Sequence, residues 1–185
     1  SACHNVLKRV NNDILTKENF RNKVNLDLEE EYKGEINIVH YIEMLKKDVS
    51  FEKLKASVVN SLNKRKIGAY YGCLLLRPQS IMNFDDVENP NILEEFIESL
   101  GGEAIKFPYR TECCGGYLTV NNKDISDSLS EKIIKSAEKN GIEELITACP
   151  LCKYNLERKT NKIKVTYFSE ILAEALGIKE NKESI

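Results

Sequence analysis

Apolar positions recur along this chain with two alternating periods. Cys3, Val6, Leu7, Val10 and Ile14 fall at helical spacing, which predicts one helix through about Asn22 with these residues on one face. Residues 25–35 are polar and acidic and read as a loop with an exposed charged surface. Ile36 to Val39 predicts a short strand, and His40 to Lys47 a helix. Phe51, Leu54, Val58 and Leu62 predict another helix, and the basic Lys64-Arg65-Lys66 run suits its C-terminal end. Ile67 to Leu76 reads as a strand with its end, and Arg77 to Pro90 as a loop. Ile92, Leu93, Phe96, Ile97 and Leu100 define a helix stopped by Gly101-Gly102. Glu103 to Phe107 follows as a strand, then a helix from Asp124 to Lys139 ended by Asn140-Gly141. Leu145 to Ala148 is the next strand, and Pro150 opens a helix that runs through Arg158. Lys162 to Thr166 is a last strand and Phe168 to Leu176 a last helix, ended by Gly177. The charged tail from Lys179 is expected to fray. Strands that alternate with helices predict an α/β fold with a mostly parallel sheet and flanking helices.

Composition narrows the function classes. The 185 residues allow one or two small domains, and 42% hydrophobic content supports an ordinary core. Twenty-seven basic against 29 acidic residues leave a net charge of −2, which argues against nucleic-acid binding and a polybasic membrane surface. No apolar run is long enough to span a bilayer. The chain contains no Ser-His-Asp or phosphate-loop signature, and its glycine runs are too short for a dinucleotide fold.

Cysteine changes the picture. Five of the six cysteines form the pattern C-x39-C-C-x34-C-x2-C: Cys73, Cys113-Cys114, Cys149 and Cys152. Each group is expected at the carboxyl end of a predicted strand, the edge where open parallel sheets bind ligands. Three distant stretches would then bring five sulfurs to one point. Thiolates are soft ligands for zinc, copper(I) and iron–sulfur clusters. Adjacent cysteines bridge with difficulty, and low cysteine density without a signal-peptide pattern leads us to expect a reduced, cytoplasmic protein. Zinc takes four ligands and would leave one cysteine over. A cluster of several irons accommodates five, one of them bridging. The count favours a cluster and leaves zinc open.

Gly72-Cys73, Cys113-Cys114-Gly115-Gly116 and Cys149-Pro150-Leu151-Cys152 resemble the cysteine-rich CCG domain, and within that family the B subunit of heterodisulfide reductases. The second gap lies at the lower edge of the family's spacing, and the resemblance covers about the last two-thirds of the chain. It implies a non-cubane [4Fe-4S] cluster on Cys73, Cys113, Cys114, Cys149 and Cys152, and homolytic reduction of a small disulfide. It further implies partner subunits carrying flavin and cubane clusters. A structural zinc site, in an assembly or electron-transfer scaffold without chemistry of its own, is the alternative. A fragment made in air would lose the cluster or take zinc in its place.

The sixth cysteine belongs to a faint repeat. Cys3, Leu7 and Arg9 share their spacing with Cys152, Leu156 and Arg158. Ile38-Val-His-Tyr-Ile-Glu43 likewise parallels Val165-Thr-Tyr-Phe-Ser-Glu170. We therefore expect residues 1–59 to be the tail of a preceding CCG module, with Cys3 its last cysteine, and residues 60–185 to be a complete module. His4 is expected at a solvent-facing or capping position rather than on a metal, and His40 at a strand–helix junction. Arg77 is expected on the surface, with binding of a substrate carboxylate or phosphate as the sharper alternative.

Overall fold

The structure, a computed structural model, describes residues 1–178; the charged tail from Lys179 lies outside the described residues. Its centre is a four-stranded, all-parallel sheet. The strands are β1 (Lys66–Tyr70), β2 (Glu103–Ile105), β3 (Glu144–Thr147) and β4 (Lys164–Tyr167), in the order β2-β1-β3-β4. Ile67 lies opposite both Ala104 and Glu144, and Leu145 opposite Val165. From β1 the chain first adds a strand on one side and later on the other. The switch leaves a crevice beyond the carboxyl ends of β1 and β3.

Period-2 alternation sorts the sheet residues into two cores. Ile67, Ala69 and Ile146 pack with Leu93, Phe96 and Ile97 of α6 (Ile92–Ser99) and with Phe168, Ile171 and Leu172 of α9 (Phe168–Ala175). Tyr70, Leu145 and Val165 point the other way. They meet Ile133, Ile134 and Ala137 of α7 (Lys123–Lys139) and Leu156 of α8 (Pro150–Glu157). The result is helix, sheet and helix in three layers, as the alternating pattern predicts.

The amino-terminal third departs from its pattern. The predicted first helix is two, α1 (Ala2–Thr16) and α2 (Glu18–Asn25), with Lys17 extended between them. The apolar face is largely exposed: Val6, Leu7 and Val10 are 53%, 55% and 41% exposed, and Cys3 is exposed. The buried side carries His4, Asn5 and Ile14. Apolar periodicity therefore marks a face of α1 of which only Ile14 is buried among the described residues. Ile36–Val39 is not a strand, because it pairs with no strand among the described residues and an unpaired extended segment has no ladder. The helix predicted from Phe51 to Leu62 stops early, as α4 (Phe51–Ala56). Residues 41–49 are helical in two styles, α3 (Tyr41–Met44) and a π-turn (Leu45–Val49). A short helix, α5 (Gln79–Met82), interrupts the loop expected from Arg77 to Pro90. Ile42, Leu45 and Leu54 nevertheless join the core that holds β1, so this third packs on the sheet.

The repeat seen in the sequence has a structural counterpart. The His40 amide donates to Glu43 Oε2 (3.0 Å), and the Tyr167 amide to Glu170 Oε2 (3.2 Å). Both starts thus use a glutamate at the third helical position to satisfy the cap's free N–H. His40 also caps through its ring, where Nδ1 accepts from the Ile42 amide at 3.3 Å. His40 is buried beside His4 and Phe84, with ring centroids 5.2 and 5.4 Å away.

Burial, reinforced by nearby positive charge including His4, pulls the His40 pKa from 6.5 down to about 3. The unfolded chain therefore binds the extra proton first, and stability falls as pH drops from 6.5 towards 3. Protonation also destroys the Nδ1 acceptor that caps α3. Asparagine caps a helix well and does not titrate. Between pH 7 and pH 5 this protein should lose about 2 kcal/mol more stability than its His40→Asn variant. Urea unfolding at the two pH values measures the difference.

Candidate metal centre

Five cysteines line one pocket at the β1–β3 crevice: Cys73, Cys113, Cys114, Cys149 and Cys152, joined by Tyr71, Leu74, Gly116, Tyr117 and Leu151. None of these side chains carries a fixed charge. None of the five lies on a strand: Cys73, Cys113, Cys114 and Cys149 sit on connecting segments and Cys152 in the first turn of α8. Cys73 follows β1 after Tyr71 and Gly72, and Cys149 follows β3 after Ala148. Cys113 comes only after a long excursion from the end of β2 at Ile105. Cys3 is exposed and does not line this pocket.

That excursion has no regular structure, yet its carbonyls are tied to the Cys73 segment one after another. Arg110 O accepts from the Tyr71 and Gly72 amides (2.9 and 3.2 Å). Thr111 O accepts from Arg77 Nη1 (3.1 Å), and Glu112 O from Tyr70 Oη (2.6 Å). Buried carbonyls need partners, so these bonds fix where the chain enters Cys113. Arg77 is thereby a loop clasp, with further bonds to Val87 O and Glu88, rather than a free substrate cation.

Beyond the pair, Cys114 O accepts from Ser130 Oγ of α7 (2.8 Å) and Asn155 Nδ2 of α8 (3.1 Å). Gly115 then turns with φ +75°, and a Cβ there would lie 2.8 Å from Ser126 Cα. Gly72, at φ +65°, brings bare backbone to the Cys152 sulfur, where a Cβ would stand 3.3 Å away. Cys149 is the N-cap of α8, with Pro150 in the first turn as predicted. On the other flank, Asn5 Nδ2 of α1 donates to Leu74 O and Arg77 O, each at 2.8 Å, and steadies the turn after Cys73.

The sulfurs are drawn together. Cys114 Sγ and Cys152 Sγ are 3.3 Å apart, and the Gly115 amide donates to Cys113 Sγ at 3.3 Å. The protons are shared unequally. A hydrogen bond from Cys73 holds Cys113 at about 6, against burial. A hydrogen bond from Cys152 holds Cys149 at about 5, and another lowers Cys114. Cys152 and Cys73 are pushed up by their contacts with these thiols and by burial. Cys113, Cys114 and Cys149 are thus shifted toward the thiolate and Cys73 and Cys152 toward the thiol, whose proton a metal would displace. No three His, Cys, Asp or Glu side chains among the described residues are preset around a single ion. Five soft donors contributed by three chain segments suit a body with several metal atoms better than one tetrahedral ion. The donor set fits an iron–sulfur cluster.

His4 is buried, not solvent-facing: neither ring nitrogen has a hydrogen-bond partner, and Nε2 lies 3.9 Å from Glu43. The polar residues that hold the cysteine segments, Asn5, Ser130 and Asn155, carried no sequence signal. Single Asn and Ser side chains are common on helices, and their partners here are backbone atoms far away in the chain.

Comparison with known proteins bears on the same residues. Residues 67–157 match the family described as CCG, cysteine-rich domain. The chain is 26% identical over 200 residues to the B subunit of a ferredoxin/F(420)H(2)-dependent CoB-CoM heterodisulfide reductase of Methanosarcina acetivorans, covering 100% of this chain and 66% of the relative. It is 29% identical over 199 residues to a protein of Archaeoglobus profundus described as like the B subunit of heterodisulfide reductase, covering 98% and 67%. It is 27% identical over 157 residues to an 8-methylmenaquinol:fumarate reductase membrane anchor subunit of Wolinella succinogenes, covering 80% and 55%. The chain spans between 54% and 67% of the length of the relatives it matches.

Gly115→Ala should destabilise the fold by about 2 kcal/mol, because the added carbon meets backbone and the φ is left-handed. Gly141→Ala, where φ is +71° but no atom lies within 4 Å, should cost about half of that. Denaturant midpoints of the two variants check the difference.

Proposed function

From a chain that carries a cysteine-rich CCG domain at residues 67–157, we propose a segment of an iron–sulfur oxidoreductase subunit that reduces a small disulfide. The observation that carries this reading is the convergence of Cys73, Cys113, Cys114, Cys149 and Cys152 on one pocket. These five residues would hold a non-cubane [4Fe-4S] cluster. Such a group, when bound, supplies single electrons for cleaving a sulfur–sulfur bond.

The chain's own residues do the rest. The exposed Cys113 and the half-exposed Cys73 lie at the open side, where a substrate sulfur can approach. Cys114, Cys149 and Cys152 are buried and keep their side of the site dry. The N-terminus of α8 favours negative charge on its N-cap, Cys149. Leu74, Tyr117 and Leu151 give the pocket an apolar wall that excludes water around the sulfurs.

The relatives suggest how this segment is set in a larger protein. Relatives of greater length, the exposed apolar face of α1 and the paired caps at His40 and Tyr167 support residues 1–59 as the tail of a preceding CCG module. Residues 60–185 are then the second module. By the same analogy the partners are a flavin-bearing subunit and a cubane-cluster subunit, and the location is the cytoplasm. No helix among the described residues is long and apolar enough to cross a membrane.

The test is metal analysis of the full-length protein purified without air. Iron, acid-labile sulfide and brown colour are expected. Colourless protein with stoichiometric zinc would overturn the reading. Alanine at each of the five positions should lower bound iron and disulfide-reductase activity together and change the electron paramagnetic resonance signal. Cys3→Ala should leave this signal as it is. A variant at one of the five that kept its iron and an unchanged signal would reduce the ligand set to four.

A further inference from the structure

Behind the pocket lies a buried charged network that no cysteine belongs to. Glu94 of α6 is 3% exposed and Arg110 is 7% exposed. Arg110 Nη1 forms an ion pair with Glu94 and donates to Pro90 O (2.9 Å), and Nη2 donates to Asn89 Oδ1 (2.8 Å). Tyr71 Oη donates to the other oxygen of Glu94 and accepts from the Leu93 amide at 2.9 Å. The guanidinium also stands 5.7 Å from the centre of the Tyr71 ring. Each member of this triad is bonded to the next, the condition under which a buried ion pair rigidifies what it touches.

Its position gives it a task. Tyr71 lies two residues before Cys73, and Arg110 three before Cys113. Their backbones are bonded to one another through the Arg110 carbonyl. The network therefore grips the two segments that bring Cys73 and Cys113 to the same pocket. Cys114, whose sulfur lies 3.3 Å from that of Cys152, is held differently, through its carbonyl by Ser130 and Asn155 from the opposite layer. We infer that Glu94 and Arg110, acting through Tyr71, are positioning residues that set the spacing between Cys73 and the Cys113–Cys114 pair. A core carboxylate and guanidinium are otherwise a poor choice, since apolar residues of equal volume stabilise a fold at least as well. The fork of arginine, by contrast, fixes direction as well as distance.

The inference concerns the same site as the proposed function, but its test reads the metal-free thiols and so stands apart from whether iron binds. Full-length protein stripped of metal is oxidised with diamide, which takes up the two thiol hydrogens as each disulfide forms. Peptide mass spectrometry follows the Cys73–Cys113 and Cys114–Cys152 links separately. In Glu94→Ala and Arg110→Met the first link should form about tenfold more slowly relative to the second, because its effective concentration is lost. Arg110→Lys should recover only part of the ratio, since it keeps the charge without the fork. Tyr71→Phe removes one hydroxyl and should lower the ratio about threefold, with the fold intact even where the charge variants do not fold. An unchanged ratio in Tyr71→Phe, or both links slowing together in every variant that folds, would overturn the inference.

Discussion

The site depends on three consecutive carbonyls. Arg110, Thr111 and Glu112 have no helix or strand of their own to satisfy them, and each finds a donor in the chain around Cys73. A loop this long would otherwise adopt many conformations, and Cys113-Cys114 would wander with it. The parallel pairing of β1 and β3 places Cys73 beside Cys149, and the carbonyl ties bring the third segment to them. From there the Cys114 carbonyl is passed to α7 and α8. The cysteine segments are thus fastened mainly to one another and to helix side chains, while the sheet supplies the common edge.

This division explains what could be read from the chain. The strands β1, β3 and β4 and the helices α6 to α9 were legible because both faces of the sheet are covered. Buried faces leave a strong apolar period, as in Phe96, Ile97, Ile133 and Ala137. The five site cysteines were legible because their type and spacing carry chemistry directly. The clasping residues were not. Tyr71 reads as one more apolar strand residue, Glu94 as a charged helix position, and Arg77 as a surface cation. Their importance lies in partners ten or more positions away, and periodicity holds no information about those.

The amino-terminal third misled for a related reason. Val6, Leu7 and Val10 form an apolar stripe, and such a stripe states only that something covers it. Within the described residues α1 instead docks through polar contacts of Asn5 and Lys8, on a side that hydrophobicity does not mark. Ile36–Val39 has the composition of a strand and no neighbour to pair with. In both cases local preference was sound, and the missing quantity was the partner surface.

The all-parallel sheet has a temporal side. The β1–β3 pairing joins residues 77 positions apart, as where Ile67 lies opposite Glu144. Contacts of such separation form slowly, after local helices. A chain leaving the ribosome would therefore display Cys73, and then Cys113 and Cys114, as open thiols until β3 is made. Only then do Cys149 and Cys152 arrive on the start of α8 and the five sulfurs become one donor set. Any metal held by all five sulfurs would have to enter after this late closure. During synthesis the half-built edge is the stage at which oxidants and stray soft ions find the chain least protected.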